Sequence, residues 1–268
     1  MDLSDHARRV APGYRRPLIR LLLGLGLGLL LLPSARALLS PEPGPEAALT
    51  VSALGLNVEL GRQAFEAGVA AFENADYTLA QRHWAPFARR GHAQSQFHMG
   101  LLHDVSVGIR PDAARAVLWY RLAAEQGLPE AQHKLALAYA RGEGLQQDMA
   151  RAVRWWLRAA RQGNADSQYN LGVIYTLGRN GIGRDPHKAA HWWRQAAIGG
   201  DPMAQYNLGT LYANGDAGQP DLCQALHWWR QSQQNGFEQA SVALRSQQGR
   251  DASRQCRVQA GGQSPGSF

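Results

Sequence analysis

The sequence predicts an all-α chain, a solenoid of stacked helix-turn-helix units, and three observations lead there. Aromatic pairs recur at Trp119-Tyr120, Trp155-Trp156, Trp192-Trp193 and Trp228-Trp229, at spacings of 36, 37 and 36 residues. Small residues hold the same register at Ser95, Ala131, Ser167, Ala204 and Ala240. Glycines close the successive units at Gly127, Gly163, Gly200 and Gly236. A period of this length marks units that cannot bury their apolar faces alone and complete a core only by stacking.

Each unit reads as two helices. In the first, the small residue is followed four positions on by Met99, Leu135, Leu171, Leu208 or Leu244. Gly100, Ala136, Gly172 or Gly209 comes next, and His103, Tyr139, Tyr175 or Tyr212 three positions later. Offsets 0, 4, 5 and 8 fall on one helical face, and the small residues on it let the second helix approach closely. The second helix opens on Asp112, Asp148, Asp185 or Asp221. An aspartate there caps the free amide hydrogens of the first turn. Asp185-Pro186 and Asp201-Pro202 add proline at the first helical position, where no hydrogen bond is lost. The closing glycines suit the left-handed end of a helix. The aromatic pairs read as packing groups: the first ring is expected between the helices of its own unit, the second against the next unit.

Ser167-Gln168-Tyr169-Asn170-Leu171-Gly172, Ala204-Gln205-Tyr206-Asn207-Leu208-Gly209 and Trp155-Trp156-Leu157-Arg158-Ala159-Ala160-Arg161-Gln162-Gly163 carry a resemblance. Over residues 92–248 the chain resembles the Sel1-like repeat family, relatives of the tetratricopeptide repeat. The resemblance implies a right-handed superhelical solenoid with repeats at 92–127, 128–163, 164–200 and 201–236. The third has one extra loop residue near Arg179-Asn180. Residues 61–91, with Gly68, Ala71, Asp76-Tyr77, Ala80 and Trp84, look like a degenerate tetratricopeptide unit capping the N-terminal end. Residues 237–248 read as a capping helix, and the polar, Gly/Ser-rich stretch 249–268 as a disordered tail.

The N-terminal part has a different composition. Basic residues from Arg8 to Arg20 precede Leu21–Leu32, a run of Leu and Gly only, followed by Pro33 and Ala35-Arg36-Ala37. That order is a signal peptide over 1–37, with an uncleaved signal anchor as the alternative; the apolar run is short of the roughly 20 residues a spanning helix needs. Arg15-Arg16 resembles a twin-arginine export motif, but no cofactor-binding motif follows, and general secretion is the simpler expectation. Pro41, Pro43 and Pro45 make 38–60 a linker. An exported, periplasmic or secreted protein follows. The formal charge of +7 is concentrated in the leader: residues 1–37 hold six arginines and two aspartates, which leaves +3 for the remainder. A weakly basic chain calls for no nucleic-acid partner.

Residues with chemistry are few. There is no H-E-x-x-H, G-x-S-x-G, phosphate-binding glycine loop or paired-cysteine zinc motif, and so no catalytic residue, metal ligand or cofactor is expected. Gly142-Glu143-Gly144 lies between helices and reads as a tight turn. His191 and His227 stand where other units have Leu118 and Arg154, which marks a solvent-facing position. Arg151, Arg154, Arg158 and Arg161 form one basic stripe that the other units do not continue. Cys223 and Cys256 could form one disulfide in an oxidising compartment. At offset 3 of the first helices stand His98, Lys134, Asn170 and Asn207. The kinship with tetratricopeptide proteins implies that this row lines a concave groove for a protein or peptide partner, with Asn and Lys able to clamp a peptide backbone or carboxylate. The plainer reading makes the asparagines part of the repeat pattern. Taken together, these readings describe an adaptor or scaffold in the cell envelope or outside the cell, with membrane contact only through an uncleaved leader. Two other readings stay open: a hydrolase of cell-wall material or β-lactams, as proposed for cysteine-rich members of the family, whose cysteine pattern this chain lacks; and a module that binds cell-wall glycan through exposed aromatics.

Overall fold

The computed structural model describes residues 61–104, 111–246, 249–254 and 256, and every regular element among them is helical. The leader (1–37) and linker (38–60) lie outside the described residues. Helix α1 occupies 61–73 and pairs with α2 (Tyr77–Arg89). Four helix pairs follow: α3 (Ala93–Asp104) with α4 (Ala113–Glu125), α5 (Pro129–Arg141) with α6 (Met149–Arg161), α7 (Ala165–Leu177) with α8 (Pro186–Ile198), and α9 (Pro202–Asn214) with α10 (Leu222–Gln234). Helix α11 (Glu238–Arg245) ends the array. Each helix from α3 onward packs on the one before and the one after it. The chain is therefore an all-helical solenoid in which each unit touches mainly its neighbours.

The caps are those the sequence calls for. The carboxylates of Asp112, Asp148, Asp185 and Asp221 accept from the amides of Arg115, Arg151, Lys188 and Gln224 at 3.0, 2.8, 3.0 and 2.9 Å. Asp76 and Asn164 cap α2 and α7 in the same way. The α7–α8 loop, with its extra residue, enters the left-handed region three times, at Gly178 (φ +60°), Asn180 (φ +55°) and Gly181 (φ +80°). Asparagine tolerates that region better than most side chains.

The aromatic pairs pack the opposite way round from the expectation. The second member of each pair, Tyr120, Trp156, Trp193 or Trp229, is buried, and it sits in the angle between the two helices of its own unit. A Cβ added at Gly100, Gly172 or Gly209 would meet the ring of Tyr120, Trp193 or Trp229 at 2.5, 2.3 and 2.6 Å. Gly68 and Trp84 repeat the arrangement in the α1–α2 pair, at 2.3 Å. The first member is half-buried and faces backwards: Trp119 packs on the cluster of Ala80, Trp84 and Met99, and Trp228 on that of Ala189 and Leu208. The reason is angular. Adjacent residues on a helix point about 100° apart, so when the second ring fills the intra-unit angle, the first is turned toward the neighbouring unit.

A row of buried glutamines joins the units. Gln96, Gln132, Gln168 and Gln205 follow the small residue of each first helix, and their side-chain amides donate to the carbonyls of Ala88, Ala124, Ala160 and Ala197 at 3.0, 3.2, 3.0 and 2.9 Å. Those carbonyls lie in the last turn of the preceding second helix, where the regular i+4 bonds run out and the amides of Gly91, Gly127, Gly163 and Gly200 donate in their place. The side-chain oxygens of Gln96, Gln132 and Gln205 accept in turn from Gln126, Gln162 and Asn235, at 2.6, 2.9 and 3.0 Å. One side chain thus ties together the C-terminal ends of two successive second helices. In the α7–α8 unit the corresponding end is Ile198-Gly199, which offers no such donor.

The C-terminal stretch departs from the expected disorder at its start. Residues 249–254 are helical and Ala252 is fully buried. Ser246 caps this segment, its hydroxyl accepting from the Gly249 amide at 3.2 Å. Glycine is required at 249, because a Cβ there would lie 2.5 Å from the Ala243 carbonyl. Small side chains, read as a sign of disorder, here permit close packing on α11. Residues 257–268 lie outside the described residues.

Replacing Gln132 by Ala removes two hydrogen bonds, one to the Ala124 carbonyl and one from the Gln162 amide, which together cost about 1–3 kcal/mol. Gln168→Ala removes one such bond and costs less. Urea titrations of the two variants under one set of conditions check this; equal losses would show that the second half of the bridge contributes nothing.

Candidate functional site

The first helices α3, α5, α7 and α9 carry the row His98, Lys134, Asn170 and Asn207, and all four side chains are half-buried. Three are already engaged. The His98 ring lies between aromatic neighbours, with centroids 5.0 Å from Phe65, 4.6 Å from Trp84 and 5.3 Å from Phe97. Its Nδ1 is 2.9 Å from the Gln94 carbonyl. Burial lowers its pKa, the Gln94 hydrogen bond opposes that, and the nearby His92 lowers it further. Lys134 donates to Asp104 Oδ2 at 3.2 Å, the same oxygen that accepts from the Tyr120 hydroxyl at 2.9 Å. Asn207 hydrogen-bonds the Tyr169 hydroxyl, whose pKa burial raises. Asn170 has no side-chain hydrogen bond to the described residues and is the free member.

The groove expectation did not foresee these contacts, which are made at three of the four positions. The error lies in treating one helix at a time. Successive first helices approach closely enough for offset 3 of one to meet the preceding first helix, at Asp104 for Lys134 and at Tyr169 for Asn207. His133 Nδ1 and Ser167 Oγ, 2.9 Å apart, form a third link of this kind. Sequence spacing shows that such positions align, and it cannot show the distance between helices.

The remaining candidates are dispersed. His191 and His227 are exposed, each edge-on to its neighbouring tryptophan at 4.8 and 5.0 Å. The basic stripe on α6 is exposed as well, with Arg158 over the Trp155 ring at 4.5 Å and Arg151 paired to Asp148 at 3.1 Å. Among the described residues no group of three or more His, Cys, Asp or Glu could hold a metal ion. No helix among them is long and apolar enough to cross a membrane. What the geometry offers is an extended surface with polar side chains set at one-unit spacing.

A Sel1 repeat model matches residues 93–128, 129–164, 165–201 and 202–236, more than half of the chain. The chain belongs to the Sel1-repeat family. Among solved structures it is similar to c5321, a protective antigen of uropathogenic Escherichia coli strains displaying an SLR fold, at 30% identity and a TM-score of 0.66 over 72% of this chain. It is also similar to a Sel1 repeat protein from Oxalobacter formigenes, at 33% identity and a TM-score of 0.56 over 61% of this chain. The matches span 42% and 65% of those two proteins. None of the curated proteins matches it.

In this Sel1-repeat protein Cys223, in the first turn of α10, is bonded to Cys256, which follows the last described helical segment, 33 residues on. The bond fastens that segment to the final unit, where Ala252 and Ala240 are buried. Closing a loop of this length stabilises by roughly 3–4 kcal/mol in the chain-entropy model. Reduction, or the double replacement Cys223→Ser with Cys256→Ser, should lower the melting temperature and free the amides of 249–254 to exchange, while α3–α8 keep their protection. Hydrogen exchange read by mass spectrometry resolves the two regions; uniform loss of protection would make the solenoid a single cooperative unit.

Proposed function

We propose that this chain is an exported adaptor that holds a protein partner along the row of its first helices. Sel1-repeat proteins mediate protein–protein interaction, and scaffolds of this kind are typically non-enzymatic. Export rests on the basic, Leu/Gly-rich and Ala-Arg-Ala order of residues 8–37. The Cys223–Cys256 bond carries the reading furthest, since disulfides form and persist in oxidising compartments. N-terminal sequencing of protein recovered from the host's periplasm or medium should begin at Leu38. Membrane-retained protein beginning at Met1 would make the leader an anchor, and cytoplasmic protein would overturn export.

Within the row, Asn170 is free to meet a partner, and Lys134 can exchange its Asp104 contact for one with little loss of structure. The Lys134–Asp104 pair is more than one-third exposed on both sides, so its loss changes stability by well under 1 kcal/mol. Asn170 and Lys134 present donors and an acceptor one unit apart, suited to the backbone and carboxylate of an extended segment. A photo-crosslinking residue at position 170 should capture a partner that one at Arg154 does not. Lys134→Ala combined with Asn170→Ala should weaken binding of that partner at least tenfold with the melting temperature nearly unchanged. An early melt would return both residues to a structural role.

A further inference from the structure

The α3–α4 unit departs from its own repeat at three places that meet in space. Helices α5, α7 and α9 carry Tyr139, Tyr175 and Tyr212, each with a cation near the ring: Arg151 at 5.6 Å, Lys188 at 5.4 Å and Arg194 at 5.9 Å from the centroid. The equivalent residue of α3 is His103, a smaller ring. Helix α6 has Arg154 and Arg158 on its outer face, α8 has His191 and Gln195, and α10 has His227 and Gln231. The equivalent residues of α4 are Leu118 and Leu122, 57% and 45% exposed. Between α2 and α4, over the C-terminal half of α3, these changes leave an open cavity of about 570 Å³.

Its chemistry is specific. Met99 and Trp119 line it together with the two leucines. His103 lines it while only 6% exposed, and its Nδ1 has no hydrogen-bond partner among the described residues. The fully charged side chains at the cavity are both cationic, Arg115 and Arg121, and no carboxylate lines it. Arg115 keeps an ion pair to Asp112 at 3.1 Å; Arg121 has none among the described residues.

We infer that this cavity is a second docking site, distinct from the first-helix row, for an acidic amphipathic segment of a partner protein. Aliphatic or aromatic side chains of the segment would cover Leu118, Leu122 and Trp119 and fill the space beside the smaller His103 ring, and a flanking carboxylate would meet Arg121. Charge complementarity selects an acidic occupant, and the apolar lining selects one with large side chains.

A display library of random twelve-residue peptides, panned on the full-length chain, is the test. Enriched peptides should combine two or more large apolar residues with Asp or Glu and few Lys or Arg. Synthesised, they should lose at least tenfold in affinity for His103→Tyr and for Leu118→Arg with Leu122→Arg. Both variants install residues that neighbouring units already carry at the same positions, so the melting temperature should hold. Binding should be unchanged in Lys134→Ala with Asn170→Ala, which separates this site from the proposed groove. No enrichment, a basic consensus, or equal binding to the variants overturns the inference. Tighter binding of a synthetic 38–60 peptide than of any enriched one would make the chain's own acidic, apolar stretch the occupant and overturn it also. So would dimerisation of the wild type in sedimentation that Leu118→Arg with Leu122→Arg abolishes.

Discussion

The fold depends on an indole or phenol ring lying against a residue that has almost no side chain. Trp84 on Gly68, Tyr120 on Gly100, Trp193 on Gly172 and Trp229 on Gly209 are the same contact made four times. It sets the distance between the two helices of a unit, because the ring can enter only where the facing helix presents backbone. Helix α5 carries Ala136 at this position, fully buried below the buried Trp156, so a single methyl group is the most that any unit places there. With the second ring committed, the first can only turn toward the preceding unit. In this way one intra-unit contact decides how units stack.

Stacking then raises a polar problem. The Ala88, Ala124, Ala160 and Ala197 carbonyls at the ends of α2, α4, α6 and α8 face the next unit with a bond from a turn amide, and bonding capacity left unmet is costly where water is excluded. The glutamine row answers it from within the repeat: each Gln lies one residue beyond the small residue that lets the helices approach, and so it reaches the carbonyl that the approach has buried. Because its oxygen also receives Gln126, Gln162 or Asn235, the same residue couples three helix ends. Coupling of this kind passes only between neighbours, as in other quasi-one-dimensional proteins. The α7–α8 unit, with Gly199 at the donor position, lacks the second half of this coupling.

Much of this was legible in the sequence, and what was missed has a common cause. Period, helix pairing, aspartate caps and closing glycines are properties of one chain segment at a time. The roles within the aromatic pairs, the engagement of His98, Lys134 and Asn207, and the reach of the glutamines all depend on how far apart two helices lie, which no spacing encodes. Gln96, Gln132, Gln168 and Gln205 recur in every unit, and that recurrence was available as a signal. It is a buried-polar signal, though, and a pattern built on apolar and turn residues passes over it. The helical segment 249–254 was hidden by the opposite confusion: Gly249, Ala252 and Ser253 have the composition of a loose tail and the size needed to lie flat on α11.

The same logic says where function can reside in a repeat protein. Positions that recur in every unit are consumed by stacking; the aromatic rings, the glutamines and most of the offset-3 row end in structural contacts. Variation between units marks what stacking does not require. Asn170 is free because the contact that engages Asn207 one unit later is not made by Asn170. His103, Leu118 and Leu122 depart from the repeat together, in one unit and around one cavity. Three departures that each weakened packing or exposed apolar surface would be a burden without an occupant, and an occupant that covers the leucines and fills the space beside the imidazole offsets them together. A solenoid whose units were identical would present one surface many times. This chain breaks its own pattern at the α3–α4 unit, and so that surface can differ from the rest in what it recognises.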